Sequence, residues 1–114
     1  MNKITELRKG MKKEGIDCLA IVTGPNMYYI TSKNFHLSER PVVFFIEEDN
    51  LTFILPELES QKLSELDVNF FTYSDVTGPE QAFQLFFNER SFSKVGIESR
   101  IMRHLELDLI SKGC

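Results

Sequence analysis

The residue types that carry most enzyme chemistry are few and widely separated in this sequence. The two histidines, His36 and His104, lie 68 positions apart, and no His-Glu-x-x-His pattern places a pair of them on one helix. No Gly-x-Ser-x-Gly pattern or glycine-rich phosphate loop is present, since Gly24 and Gly78 are single turn residues. The sequence therefore predicts no catalytic residue and no metal site in this chain. We expect His104 to be a surface or helix-end histidine.

The acidic residues do not form a recognisable cation site or nuclease site. The run Glu47–Asp49 lacks the ligand spacing and the glycine of a calcium loop, so we expect it to be a solvated hairpin tip. A nuclease needs several carboxylates on neighbouring strands, whereas Asp17 and Glu98 are the only acids on the predicted strands. The 13 basic and 17 acidic residues give a net charge of -4, which disfavours nucleic-acid phosphates and anionic membranes as partners.

Length and composition predict one folded domain over residues 1–114. Hydrophobic residues make up 42% of the chain and charged residues 26%, which is typical of a globular protein and not of a disordered one. Cys18 lies in an apolar run and Cys114 is the last residue, so no disulfide framework is expected. The sequence contains no apolar run of membrane-spanning length and no signal-peptide core. These features favour a cytoplasmic location, with Cys18 in the core.

Hydrophobic periodicity predicts alternating helices and strands. The apolar run 16–22 is typical of a strand buried on both faces, and Pro25 suits the first turn of a short helix. This alternation predicts an α/β fold with a central mixed sheet, parallel where helices intervene and antiparallel in one hairpin. The predicted helices are 2–14, a short one at Pro25, 56–66, 80–88 and a last one capped by Ser99. In this last helix, the apolar residues Met102, Leu105 and Leu109 are expected to share one face. The predicted strands are 16–22, 42–46, 51–55, 68–73 and 94–98.

The segment 33–40 has mixed polar and aromatic residues with no helical or alternating period. It follows the predicted short helix and precedes an apolar strand, and it contains both His36 and Arg40. Loops of this kind commonly carry function on a rigid scaffold. We therefore expect the functional residues of this chain to lie here.

Three parts of the sequence resemble the amino-terminal domain of the creatinase/prolidase family, which includes Xaa-Pro dipeptidases and aminopeptidases. They are Leu19–Val22, the run Asn26-Met27-Tyr28-Tyr29-Ile30-Thr31, and Glu39-Arg40-Pro41 before a hydrophobic strand. The resemblance implies a ribonuclease H-like, three-layer α/β/α arrangement with a five-stranded mixed sheet. Ser32 departs from the family pattern, which has glycine there, and a non-glycine residue reaches positive φ only at a cost.

The resemblance also implies a function for the whole protein. In the family, a separate catalytic domain binds two divalent metal ions, manganese or cobalt, and that domain is absent from this chain. The chain is then a non-catalytic domain that contributes to subunit assembly and to the substrate cleft. The implied partners are its own catalytic domain, a second subunit in a homodimer, and a proline-containing peptide substrate. The alternative is a stand-alone binding or scaffolding domain that has no catalytic partner.

Three residues are implied as substrate-cleft candidates, and each has a purely structural alternative. Arg40 has the geometry to bind a peptide carboxylate with two hydrogen bonds, or it pairs with Glu39 or another nearby acid. His36 has the chemistry to donate a hydrogen bond near neutral pH, or it is a solvated loop residue. Tyr29 lines the approach to the cleft, or it packs in the core with its hydroxyl satisfied; for Tyr29 the core is the favoured expectation.

Overall fold

The computed structural model describes residues 2–35, 40–98 and 100–113. None of the helices in these ranges combines the length and the apolar composition that a membrane span requires. The elements in chain order are α1 (Asn2–Glu14), β1 (Cys18–Val22), α2 (Pro25–Thr31), β2 (Val43–Glu47), β3 (Leu51–Pro56), a 3-10 helix (Glu57–Leu63), β4 (Asn69–Tyr73), α3 (Glu80–Asn88), β5 (Val95–Ile97) and α4 (His104–Gly113).

The five strands form one mixed sheet in the order β4-β3-β2-β1-β5. β2 is antiparallel to both of its neighbours, while β4 is parallel to β3 and β5 is parallel to β1. The α/β class and the mixed five-stranded sheet predicted from the sequence are therefore confirmed. The expectation that strands separated by a helix run parallel is wrong for β1 and β2. Val43 at the start of β2 pairs with Val22 at the end of β1. The short helix α2 therefore connects the two strands at one end of the sheet, and β2 runs back alongside β1.

Both faces of the sheet are covered by helices, which makes three layers. Alternate side chains of each strand point to opposite faces, so each strand supplies residues to both cores. One core lies against α3 and α4 and includes Cys18, Ala20, Val22, Val43, Phe45, Ile54, Tyr73, Phe83, Phe86, Phe87, Leu109 and Ile110. The other lies beneath α1, α2 and the 3-10 helix and includes Ile4, Met11, Ile21, Met27, Ile30, Phe44, Ile46, Phe53, Leu55 and Leu63. Cys18 is fully buried, as predicted.

Two helices differ from the prediction. The segment after Pro56 is a 3-10 helix that ends at Leu63, not an α-helix reaching residue 66. The last helix begins at His104, and Ser99 lies outside the described residues. Its start is marked by Glu106, whose Oε1 accepts a hydrogen bond from the Arg103 backbone N–H at 2.9 Å.

The later start of α4 changes which of its faces is buried. Leu109 packs in the core as predicted, but Leu105 is 38% exposed and Met102 precedes the helix. The inward-facing residues of α4 are Glu106, Leu109 and Ile110. The expected common face of Met102, Leu105 and Leu109 is therefore wrong. His104 is exposed at the first position of the helix, which confirms the expectation for that residue.

The β2–β3 hairpin tip is less solvated than its sequence suggests. Glu48 and Asp49 are exposed, but Glu47 is buried and pairs with Arg90, whose Nε donates to Glu47 Oε2 at 2.8 Å. The Arg8 side chain on α1 donates to the backbone carbonyl of Glu47 at 2.8 Å. The expectation of a fully solvated tip is wrong for Glu47, because a cation 43 positions along the chain compensates its charge.

Ser32 ends α2 in the left-handed conformation, with φ at 61° and ψ at 20°. It is the single described non-glycine residue with positive φ. Its backbone N–H donates to the Tyr28 carbonyl at 2.8 Å, so the conformation terminates the helix in the way that glycine usually does. The position where the sequence departs from the family pattern is therefore a position of backbone strain.

We predict that Ser32→Gly stabilises the domain. Relief of the left-handed strain contributes about 1–2 kcal/mol, and the greater freedom of glycine in the unfolded chain offsets about 0.4–1 kcal/mol of it. The free energy of unfolding should therefore rise by about 0.5–1 kcal/mol in urea denaturation. Ser32→Ala is the matched control, because alanine keeps the Cβ atom that causes the strain and should give no gain.

Candidate functional site

A cleft of about 530 Å³ opens where β3 and β4 end. These strands are parallel neighbours, and Pro56 pairs with Tyr73 at their last positions, so both strands deliver the chain to the same edge of the sheet. The loops that follow the two strands form the walls. The lining residues are Phe35, Arg40, Val42, Pro56, Glu57, Leu58, Glu59, Tyr73, Ser74 and Asp75.

Arg40 lies at this cleft and is held by Asp75. Its Nε donates to Asp75 Oδ1 and its Nη2 to Asp75 Oδ2, both at 2.7 Å, which is the parallel two-bond geometry typical of a guanidinium and a carboxylate. The hydrogen bond from Arg40 lowers the pKa of Asp75 below its usual value. The expectation that Arg40 pairs with a nearby acid is confirmed, with Asp75 as the acid. Glu39 lies outside the described residues.

Tyr73 fixes the backbone next to Arg40. Its buried hydroxyl donates to the Pro41 carbonyl at 2.6 Å. Desolvation raises the pKa of Tyr73 strongly, so the phenol stays protonated and remains a donor across the physiological range. Arg40 is thus tied to the end of β4 twice, through its side chain to Asp75 and through the following residue to Tyr73.

The turn that carries Asp75 is built from its own polar side chains. The Thr77 backbone N–H donates to Ser74 Oγ at 3.2 Å, and the Gly78 N–H donates to the Ser74 carbonyl at 2.8 Å. Gly78 has φ at 74°, which glycine adopts without strain. The sequence Ser-Asp-Val-Thr-Gly is a turn signature. That signature locates Asp75 after a strand, but it does not indicate that Arg40 is its partner.

Tyr29 lies on a different surface from Arg40. Its side chain is 62% exposed on α2, and Lys3 of α1 lies over the ring with Nζ 4.1 Å from the ring centroid. The favoured expectation that Tyr29 packs in the core is therefore wrong. Tyr29 lines a separate apolar groove between α1 and α2. His36, the third candidate, lies outside the described residues.

The two strand acids both bind backbone amides at the margins of β1. Asp17 accepts hydrogen bonds from the Ser93 N–H at 2.8 Å and the Lys94 N–H at 2.9 Å, just before β5. At the other end of β1, Glu98 accepts from the Val22 N–H at 2.6 Å. These two carboxylates join β1 to β5 at opposite ends, which is not the convergence that a metal-dependent nuclease needs. Across the described ranges, no group of three or more His, Cys, Asp or Glu residues is placed to hold a metal ion.

The residues of the Asn26–Thr31 run support the structure of α2. Asn26 Nδ2 donates to Glu98 Oε2 at 2.7 Å, which ties the first turn of α2 to the chain after β5. Thr31 Oγ1 donates to the Met27 carbonyl at 2.7 Å and accepts from the Lys33 N–H at 3.1 Å. The residues that carry the family resemblance therefore stabilise α2, the helix that precedes residues 33–40.

Asp75 and Glu98 are not indicated by the sequence in this way, because each binds a residue that is distant in sequence.

Asp17 makes the stability of the domain depend on pH. The backbone hydrogen bonds from Ser93 and Lys94 lower the pKa of Asp17 in the folded protein below its ordinary value of 3.8. The unfolded chain therefore binds this proton more readily, and the stabilisation present above pH 3.8 is lost as the pH falls through the folded-state pKa.

We predict that Asp17→Asn lowers the free energy of unfolding by about 1 kcal/mol at pH 7, less than is usual for hydrogen bonds to a charged group, because the site is solvated. Below the folded-state pKa of Asp17 the difference should shrink. Urea denaturation from pH 7 to pH 2.5 measures it. Asp49→Asn, at the exposed hairpin tip, is the matched control and should track the wild type.

Comparison with known proteins identifies the family. The sequence matches the Creatinase/Prolidase N-terminal domain over residues 3–114. The fold is similar to that of a proline dipeptidase from Streptococcus agalactiae 2603V, with a TM-score of 0.89, 21% identity, and coverage of 98% of this chain and 86% of that one. It is also similar to the Creatinase/Prolidase N-terminal domain of an X-Pro dipeptidase from Streptococcus pyogenes, with a TM-score of 0.88, 15% identity, and coverage of 97% and 86%.

A longer chain contains a part with a similar fold. The recombinant prolidase from Thermococcus sibiricus matches with a TM-score of 0.83 and 24% identity, over 96% of this chain and 30% of that one. No curated protein sequence matches this chain. Because the family match spans nearly the whole sequence, the chain belongs to the creatinase/prolidase N-terminal domain family.

Proposed function

We propose that this chain is the non-catalytic N-terminal domain of a Xaa-Pro dipeptidase- or aminopeptidase-like metallopeptidase. The observation that carries the proposal is the family match over residues 3–114, together with the similar domain that occupies about a third of the Thermococcus prolidase chain. In this proposal the domain contributes to subunit assembly and forms part of the wall of the substrate cleft. The parent protein acts in the cytoplasm on proline-containing peptides.

The metal chemistry of the proposed parent resides in its catalytic domain. Two divalent ions, manganese or cobalt, would supply an activated water for peptide-bond hydrolysis there. The described residues of this chain supply no ligand group for such ions. The carboxylates of Asp17 and Glu98 already bind backbone amides, and that of Asp75 binds an arginine. The partners of the domain are then its own catalytic domain and a second subunit.

Arg40 is the leading candidate for substrate contact. A peptide carboxylate would compete with Asp75 for the guanidinium edge, which is positioned at the mouth of the 530 Å³ cleft. Both side chains are about half exposed or more, so solvent and a competing carboxylate have access to the pair. His36 belongs to the same connection, and Tyr29 is the third candidate, on its own groove.

The alternative function is a stand-alone binding or scaffolding domain. The structure of the Streptococcus pyogenes N-terminal domain, of which this chain covers 86%, supports independent folding of such domains. The length of the open reading frame distinguishes the two functions. A reading frame that continues for several hundred codons with metal-ligating His, Asp and Glu favours the first, and a stop after codon 114 favours the second.

The 114-residue chain alone is expected to hydrolyse no Xaa-Pro dipeptide. The assay adds manganese or cobalt to the purified chain and measures release of free proline. Turnover that persists through repeated purification, and that a chelator removes, would overturn the proposed non-catalytic role.

Arg40→Ala should weaken substrate binding in the protein encoded by the full reading frame. Loss of a charged hydrogen-bonding partner is expected to raise KM for a Xaa-Pro dipeptide about tenfold while kcat stays within twofold. Arg100→Ala is the matched control, because Arg100 is an exposed arginine outside the cleft lining. An unchanged KM in Arg40→Ala would exclude Arg40 from substrate binding and leave the domain assignment intact.

A further inference from the structure

The described lining of the cleft carries more negative than positive charge. Its charged residues are Arg40, Glu57, Glu59 and Asp75. Arg40 pairs with Asp75, and Glu59 forms an ion pair with Lys62, whose Nζ lies 2.8 Å from Glu59 Oε2. The exposed carboxylate of Glu57 is then the charge in excess. A ligand that carries only negative charge meets this excess when it binds Arg40.

Asp75 can leave Arg40 while the turn that carries it stays in place. The Asp75 side chain is 66% exposed, and among the described residues Arg40 is the partner of its carboxylate. The turn is held by hydrogen bonds between Ser74 and Thr77, which do not involve the Asp75 side chain. Without Arg40, the pKa of Asp75 returns toward its ordinary value of 3.8, so the released carboxylate is still charged at neutral pH.

A displaced Asp75 carboxylate requires a new cation. Pro56 and Tyr73 pair at the ends of β3 and β4. Glu57 and Asp75 follow them by one and two positions, so both acids lie at the same edge of the sheet. Like charges at one rim repel each other. When a ligand carboxylate takes the place of Asp75 on Arg40, a positive group on the same ligand compensates this repulsion.

The rest of the described lining is apolar. Phe35, Val42 and Pro56 are buried, whereas Leu58 is 92% exposed. An exposed leucine contributes to binding when a ligand covers it. The volume of about 530 Å³ lies within the roughly 300–1,000 Å³ of small-molecule sites. The cleft therefore suits a compact ligand that combines an apolar body with one carboxylate and one cation.

We infer that Asp75 is a specificity residue, which holds Arg40 in the free domain and pairs with the ammonium group of a short zwitterionic peptide when the peptide carboxylate displaces it. One ion pair and a zwitterion then become two ion pairs, so no charge is left uncompensated. The two charges of a dipeptide lie at most roughly 7 Å apart, so both reach adjacent side chains at one rim. A peptide with an acylated amino terminus lacks the second pair and is disfavoured.

The inference takes the class of ligand from the proposed function and in that respect rests on it. It requires no catalytic domain, because Arg40, Asp75 and the apolar lining all belong to this chain. It also differs from a purely structural role for Asp75. A residue that only positions Arg40 would affect every peptide carboxylate equally, whereas a specificity residue distinguishes a free amino terminus from a blocked one.

Titration of the nitrogen-15-labelled 114-residue chain with Ala-Pro at about pH 6.5, where the α-amino group is protonated, tests the inference by NMR. The reporter is the Arg40 Nε–H, which donates to Asp75. A chelator in the buffer separates binding from metal-dependent turnover. Ala-Pro should bind with a dissociation constant of about 1–10 mM, as expected for so small a ligand. N-acetyl-Ala-Pro, which has no ammonium group, should bind about fivefold more weakly, the ratio that one solvated ion pair provides.

Asp75→Asn removes the charge and keeps the shape of the side chain. In this variant the two peptides should bind within about twofold of each other, because the ammonium group has lost its partner. N-acetyl-Ala-Pro should bind the variant more tightly than the wild type, since a neutral amide competes less strongly for Arg40 than a carboxylate. Asp67→Asn is the matched control, because Asp67 is exposed and lies outside the cleft lining. It should keep the fivefold preference.

Circular dichroism confirms that each variant is folded before its binding is interpreted. The inference is overturned if Ala-Pro gives no saturable shift at about ten times the expected dissociation constant. It is also overturned if the wild type binds both peptides equally, or if Asp75→Asn retains the fivefold preference. These results leave the non-catalytic role untouched, because that role fails only if the chain hydrolyses a Xaa-Pro dipeptide in the turnover assay.

Discussion

The fold depends on the burial of β2 on both faces in the middle of the sheet. All five residues of Val43–Glu47 are buried, and β1 and β3 occupy both hydrogen-bonding sides of the strand. Burial of a phenylalanine or isoleucine side chain contributes about 1.5–3 kcal/mol to the free energy of unfolding. β2 contains three such side chains, those of Phe44, Phe45 and Ile46. A strand with no solvent-facing side requires a helical layer on each face. The three-layer arrangement follows from this one strand.

The same burial determines what the polar residues at the sheet margins do. Glu47 ends β2 within the core and requires the cation of Arg90. Asp17 accepts hydrogen bonds from the two backbone amides that precede β5, and Glu98 accepts one from the last amide of β1. Carboxylates committed in this way are not free to bind a metal or to activate water. The Arg40–Asp75 pair is different, because it lies at an open cleft and is solvated enough for a ligand to compete with it.

Periodicity was sufficient to predict the elements whose residues face one environment throughout. α1 and α3 have a single apolar face, and the runs around β1, β2 and β3 are buried on both sides, so the sequence indicates their type and nearly their bounds. It failed where single polar contacts, local or distant, accompany the structure. α4 starts where the buried Glu106 binds Arg103, three positions earlier, and Tyr29 lies on the surface beneath the ammonium of Lys3 from another helix. No local pattern relates Arg40 to Asp75, which lies 35 positions away.

The topology explains why the cleft forms at one edge of the sheet. β3 and β4 are parallel neighbours, so their last residues, Pro56 and Tyr73, lie side by side and the loops that follow them become the walls of the cleft. Tyr73 anchors the Pro41 carbonyl, and Asp75, two residues later, binds the Arg40 guanidinium. The position of Arg40 is therefore determined by the end of β4 and not by its own neighbours in sequence, so a change at the end of β4 has a direct physical route to the cleft.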